Sequence, residues 1–96
     1  LSIDSSNFPN ENEFIQIYPN PFNPDINIKV FSENSGYITI SIYDISGKKI
    51  DTIYSGLSVV GYYTYKWEPI SSNSGIYFVH VTTPGSSVIK KVNLVK

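Results

Sequence analysis

The sequence predicts an all-β fold, seven strands packed as two antiparallel sheets, and three observations carry that expectation. Strand formers are plentiful and strong helix formers scarce. Tyr occurs eight times, β-branched residues are abundant, Ala and Met are absent, and the one Leu away from the two ends is Leu57. Apolar residues recur with period two rather than with the 3.6-residue period of a helix. Turn residues return roughly every 8–12 positions, the spacing of a sandwich or barrel.

Residues 1–13 are rich in Ser, Asn, Asp and Glu without periodicity and read as a linker or leader, leaving 14–96 as one domain. Phe14 to Tyr18 is a short first strand, stopped by Pro19-Asn20-Pro21-Phe22-Asn23-Pro24. Three prolines there remove three ladder donors, so this segment crosses between sheets or covers an edge. Ile26, Ile28 and Val30 then alternate with Asn27 and Lys29, and Glu33 to Gly36 is turn chemistry. Ile38, Ile40 and Ile42 alternate with Thr39, Ser41 and Tyr43, and Asp44 to Lys48 forms a tight hairpin. The strand from Lys49 to Tyr54 has confused parity, since Ile50 and Ile53 share a face only through a bulge. Ser55 to Gly61 reads as a loop between glycines. Tyr63, Tyr65 and Trp67 alternate with Tyr62, Thr64 and Lys66, Pro69 to Gly75 is a polar loop, and Tyr77, Val79 and Val81 alternate with Phe78, His80 and Thr82. Thr83 to Ser86 turns the chain into a last strand from Val88 to about Val95.

One sheet of seven such strands would leave an apolar face wet, so two sheets must pack together. The expected architecture is an immunoglobulin-like seven-stranded antiparallel β-sandwich. It has no Cys pair, so Tyr63, Tyr65 and Trp67 supply core mass instead. Facing outward, the same row would stack on sugar rings; its alternation with Thr64 and Lys66 favours the inward arrangement.

Composition narrows the function. A formal net charge of −1 provides no global field for nucleic acid or an anionic membrane. With no Cys there is neither a disulfide framework nor a thiolate metal site. No apolar run approaches the roughly 18–20 residues that span a bilayer. The opening Leu1-Ser2-Ile3-Asp4 is unlike a secretory signal and lacks an initiator Met, so the chain is expected to be a piece of a longer protein with any export signal upstream.

Residues able to carry chemistry are few, and no enzyme, cofactor or metal is expected. His80 is the lone His, set between two valines on a strand, and reads as an ordinary exposed or half-buried strand residue. Asp4, Glu11 and Glu13 lie in the leader, while Asp25, Glu33, Asp44, Asp51 and Glu68 lie at turns or strand ends, with nothing to pair two of them over a substrate. Asp44 with Ser46 suits a calcium loop weakly and a hairpin better. Lys90-Lys91-Val92-Asn93-Leu94-Val95-Lys96 combines alternation with three cations and no acid. It reads either as an edge strand protected by lysine or as a tail that a partner recognises.

These motifs together resemble the C-terminal sorting domains of type IX secretion (Por secretion) cargo. That family's Tyr-Pro-Asn-Pro opening is matched by Tyr18, Pro19, Asn20 and Pro21, and its Tyr-Asp-x-x-Gly-Lys hairpin by Tyr43, Asp44, Gly47 and Lys48. Its Gly-x-Tyr start and Trp are matched by Gly61, Tyr63 and Trp67, its Ser-Gly-Ile-Tyr start by Ser74, Gly75, Ile76 and Tyr77, and its basic ending by Lys90, Lys91 and Lys96. The chain is also similar, up to Trp67, to the immunoglobulin-like domain of flagellar hook-capping proteins. That relative usually continues Trp-Asp-Gly, where this chain has Trp67-Glu68-Pro69. The resemblance implies a non-catalytic domain behind an N-terminal cargo, carried through the periplasm to the cell surface or beyond. It implies reading by an outer-membrane translocon near the last strand, at Lys90, Lys91, Val92, Leu94 and Lys96, and removal by a surface sortase. A structural spacer or a carbohydrate-binding module is the alternative.

Overall fold

The computed structural model describes residues 15–69 and 72–95, and these form seven strands and no helix. In chain order they are β1 (Ile15–Tyr18), β2 (Ile26–Ser32), β3 (Gly36–Tyr43), β4 (Lys49–Ser58), β5 (Gly61–Trp67), β6 (Gly75–Thr83) and β7 (Ser86–Leu94). The leader of residues 1–13, Phe14 and Lys96 lie outside the described residues. One sheet has the order β1-β2-β5 and the other β4-β3-β6-β7, with every neighbouring pair antiparallel. The expected two-sheet, all-β arrangement is the observed one. Its fourth strand pairs with the third, whereas a constant-type immunoglobulin domain places that strand in the other sheet.

Alternation builds the core. Ile26, Ile28 and Val30 of β2 and Ile38, Ile40 and Ile42 of β3 are buried together with Val79 and Val81 of β6 and Val88, Val92 and Leu94 of β7. Each buried branched side chain contributes about 1.5–3 kcal/mol, so the inner faces of these strands dominate stability. Trp67 closes one end of the core: its ring centroid lies 5.6 Å from that of Phe22 and 5.5 Å, edge-on, from that of Tyr77. Tyr65 packs on Tyr54 of the other sheet at 5.0 Å, and burial pushes its phenol above the usual tyrosine range. The aromatic row therefore faces inward. At 3% exposure Trp67 has no ring face to offer a sugar, which removes the main support for a carbohydrate-binding row.

The bounds of β4 and β7 differ from the sequence expectation. Ser55 to Gly61 is not a loop, because β4 continues to Ser58 with Ser55 opposite Thr39 and Leu57 opposite Tyr37. Gly56 reads as a turn signal in sequence, yet it lies inside the strand, where the Tyr54 ring folds over it and the Tyr54 hydroxyl donates to the Leu57 carbonyl at 3.0 Å. The bulge inferred from Ile50 and Ile53 is present and doubled: the register skips Ile53 between Ser41 and Ile40, and Ile50 between Tyr43 and Ile42. The last strand begins at Ser86 and ends at Leu94, two residues earlier and one residue earlier than alternation alone suggests.

Candidate functional site: the final strand and its surroundings

β7 is an edge strand, and half of that edge is already occupied. The proline-rich segment between β1 and β2 leaves its own sheet and lies parallel to the end of β7 as a strap. The Phe22 N–H donates to the Asn93 carbonyl at 2.9 Å, and the Val95 N–H donates to the Phe22 carbonyl at 3.0 Å. Pro19 and Pro21 have no N–H to offer, and the side chain between them acts in place of a peptide unit. The Asn20 Oδ1 accepts from the Asn93 N–H at 3.0 Å, and its Nδ2 donates to the Lys91 carbonyl at 3.2 Å. Phe22 anchors the strap by burying its ring against Trp67. Strand alternation turns the backbone groups of Ser87 and Ile89 toward the same edge, upstream of the strap.

The final strand does not present its recognition candidates as one array. Val92 and Leu94 are each 1% exposed and belong to the core, so neither side chain is available to a partner of the folded domain. That corrects their placement on a recognition surface: the period of two gives them to the interior. Lys90 shares their parity and lies half-buried at the open side of the sandwich, beside Ile15, Ile17, Tyr18 and Asn20. An inward-pointing charge at this position opposes edge-to-edge pairing. Lys91 is exposed on the opposite, outer face, across from Phe78. The adjacent lysines thus serve different sides of the sheet.

The remaining motif residues have defined local work. Asp44 organises the β3–β4 hairpin: its Oδ1 accepts from the Ser46 N–H at 2.9 Å, the Ser46 hydroxyl at 2.6 Å and the Lys48 N–H at 3.0 Å, while the Gly47 N–H donates to its carbonyl at 3.0 Å. The Ser46 hydroxyl, followed by the backbone bonds and the Lys48 charge, holds the Asp44 carboxyl below its usual range. This is the hairpin reading: the Asp44 Oδ1 is engaged within its own turn.

Gly61 and Gly75 perform one shared task. Each opens a strand at φ +150, a backbone state essentially confined to glycine, and each is followed two residues later by an inward tyrosine. The hydroxyl of that tyrosine reaches back four residues: Tyr63 donates to the Val59 carbonyl, and Tyr77 to the Asn73 carbonyl at 2.7 Å. The Tyr77 bond has the geometry of the tyrosine corner known from sandwich folds.

His80 lies half-buried on the outer face of β6. Its Nε2 is 2.8 Å from the Ser87 hydroxyl and 3.4 Å from that of Thr82, and its ring centroid is 6.1 Å from that of Tyr43. It is the strand residue that the sequence suggested. No group of three His, Cys, Asp or Glu residues able to hold a metal occurs among the described residues.

Sequence reasoning missed the role of Phe22, an aromatic residue inside a stop signal. It also missed the joint placement of Tyr43 and Phe78, which are opposite one another on β3 and β6. The available signal for Phe22 was an isolated large apolar residue among prolines, where solvent exposure would be unfavourable.

Comparison with known proteins agrees with this picture. No curated protein matches the chain significantly. A solved structure with a similar fold is PorZ, described as an essential bacterial surface component of the type-IX secretion system of Porphyromonas gingivalis. It superposes with a TM-score of 0.56 at 23% identity, covering 85% of this chain and 11% of PorZ. At that identity the likeness concerns the fold, and this chain corresponds to a small part of PorZ. The sequence pattern of the secretion system C-terminal sorting domain matches residues 16–95, which include the strap, both Gly-x-Tyr starts, the Asp44 hairpin and the final strand. The chain belongs to the family of secretion system C-terminal sorting domains.

Proposed function

We propose that the domain acts without catalysis as the address of a larger cargo joined to its N-terminal side, and that residues 14–96 are the unit that is read. The family match over residues 16–95 is the observation that carries this reading. The cargo crosses to the periplasm by general export, where the sandwich folds. The outer-membrane translocon of the type IX system then recognises its surface around β7, with Lys90, Lys91 and Lys96 as the cationic contacts. A surface sortase removes the domain by cutting in or before residues 1–13, leaving the cargo at the cell surface or outside the cell. The buried Val92 and Leu94 contribute by holding β7 in place.

The test appends residues 14–96 to a periplasmic reporter in a host with a working type IX system. The expected result is reporter on the surface or in the medium; a reporter that folds but stays in the periplasm overturns the sorting role and favours a spacer. Deleting 90–96 is a poor probe, because it removes Val92 and Leu94 from the core. Replacing Lys90 and Lys91 with Gln keeps the core and is expected to lower export severalfold.

A further inference from the structure

The outer face of the four-stranded sheet carries a patch that neither the core nor the strap uses. Pairing sets Lys49, Tyr43, Phe78 and Lys91 in one row across all four strands. The next row includes His80 and Ile89, again adjacent. Tyr43, Phe78, His80 and Ile89, with Asp44 and Ile45 of the hairpin, line a shallow depression of about 370 Å³. Ile45 is 76% exposed and Ile89 63% exposed, so two branched aliphatic side chains stand at the rim in water. A clustered apolar patch with a charged rim marks an interaction surface more often than scattered single residues do.

The charges around this patch indicate what fits it. On the other sheet Lys66 pairs with Asp25 at 3.6 Å, and Lys29 lies 4.9 Å over the Tyr62 ring. Lys49 and Lys91 make no ion pair among the described residues, and both lie in the row that crosses this depression, whereas Lys48 acts on Asp44. The one carboxylate in its lining is Asp44, an anion met by the adjacent Lys48, which leaves Lys49 and Lys91 as the cations open to a partner. A second copy would bring its own unpaired lysines against these, so charge complementarity selects an acidic partner.

We propose that this patch docks an acidic peptide segment of the secretion machinery. An aromatic or branched aliphatic anchor enters the depression between Tyr43, Phe78 and Ile89, and flanking carboxylates meet Lys49 and Lys91. An apolar anchor in a pocket with charged groups at the rim is the usual division between affinity and steering at a protein interface. The proposal rests on the sorting reading and gives it a surface outside the strap.

The test titrates the isotope-labelled 96-residue chain with a synthetic peptide holding one phenylalanine between two pairs of acidic residues. Amide shifts are expected at Tyr43, Ile45, Phe78 and Ile89, with binding weakened about tenfold between roughly 50 and 500 mM salt. Ile45→Glu and Ile89→Glu, both at exposed positions, are expected to abolish the shifts and the export of a reporter fusion while leaving the spectrum folded. Shifts that are absent or centred elsewhere overturn the proposal, as does equal binding of a lysine-substituted peptide. Sedimentation with anionic phosphatidylglycerol vesicles in place of peptide binding overturns it in favour of a membrane. Wild-type export with undiminished export of both variants defeats this surface and leaves the sorting reading standing, whereas failure of the wild-type fusion defeats the sorting reading itself.

Discussion

β4 and β7 are the two edge strands of one sheet, and they guard their open sides by different means. β4 is irregular: two bulges, at Ile50 and Ile53, interrupt the regular ladder another strand would need, and the Tyr54 ring folds over the strand glycine Gly56. β7 is regular over nine residues and relies on cover, namely the strap at its end and the inward Lys90 near its middle. A bulged edge is protected by its own sequence, while a covered edge depends on residues more than seventy positions away. The covered edge is therefore the one that a distant substitution can open.

Four experiments sharpen that contrast. The largest effect is expected for Phe22→Ala, which removes a buried aromatic anchor and should destabilise the domain by about 3–5 kcal/mol in urea unfolding. Hydrogen exchange should accelerate at the Asn93 and Val95 amides before those of β4; uniform acceleration would show that the strap is not a separate device. Asn20→Ala leaves Phe22 in place but removes two hydrogen bonds to β7, for a loss of about 1–2 kcal/mol with faster exchange at Asn93. Gly56→Ala tests the other edge. Its added Cβ would lie 2.9 Å from the Tyr54 hydroxyl oxygen, so the phenol must swing off the Leu57 carbonyl, with a loss of about 1 kcal/mol in thermal unfolding and no change at Asn93.

The smallest effect concerns the hairpin that joins β3 to β4. The Asp44 carboxyl is held below its ordinary value in the folded chain, so its contribution is present above the unfolded value and is lost as pH falls through the folded one. The Ser46 and Lys48 amide signals should follow a titration midpoint below the usual aspartate range. A midpoint at the ordinary value would remove the proposed capping role.

The legible part of the fold was the part governed by alternation. Ile38, Ile40 and Ile42, or Tyr77, Val79 and Val81, announce both strand and buried face, because the side-chain period of two admits one orientation once a core exists. Gly56 misled because an isolated glycine has the same appearance in a loop and under an aromatic ring; the difference lies in the pairing of Leu57 with Tyr37. For the candidate site, Lys90 and Lys91 read in sequence as a basic pair, but neighbours in sequence are opposite in a strand. The strap was half legible: prolines excluded a central strand, and nothing local could reveal that Asn20 and Phe22 reach β7. The outer patch was hidden for the same reason, since Tyr43, Phe78 and Ile89 meet only across three strands.

The strap has a temporal consequence. Asn20 and Phe22 stand at the start of the sandwich, yet the groups they bond belong to residues 91–95, so the first loop of the domain cannot reach its final state until the last strand is present. A polypeptide interrupted before that strand keeps an unsealed sheet and an unanchored Phe22. Closure of the strap thus makes the sealed sandwich a report that its own last strand is in place, available before anything that reads its surface engages the molecule.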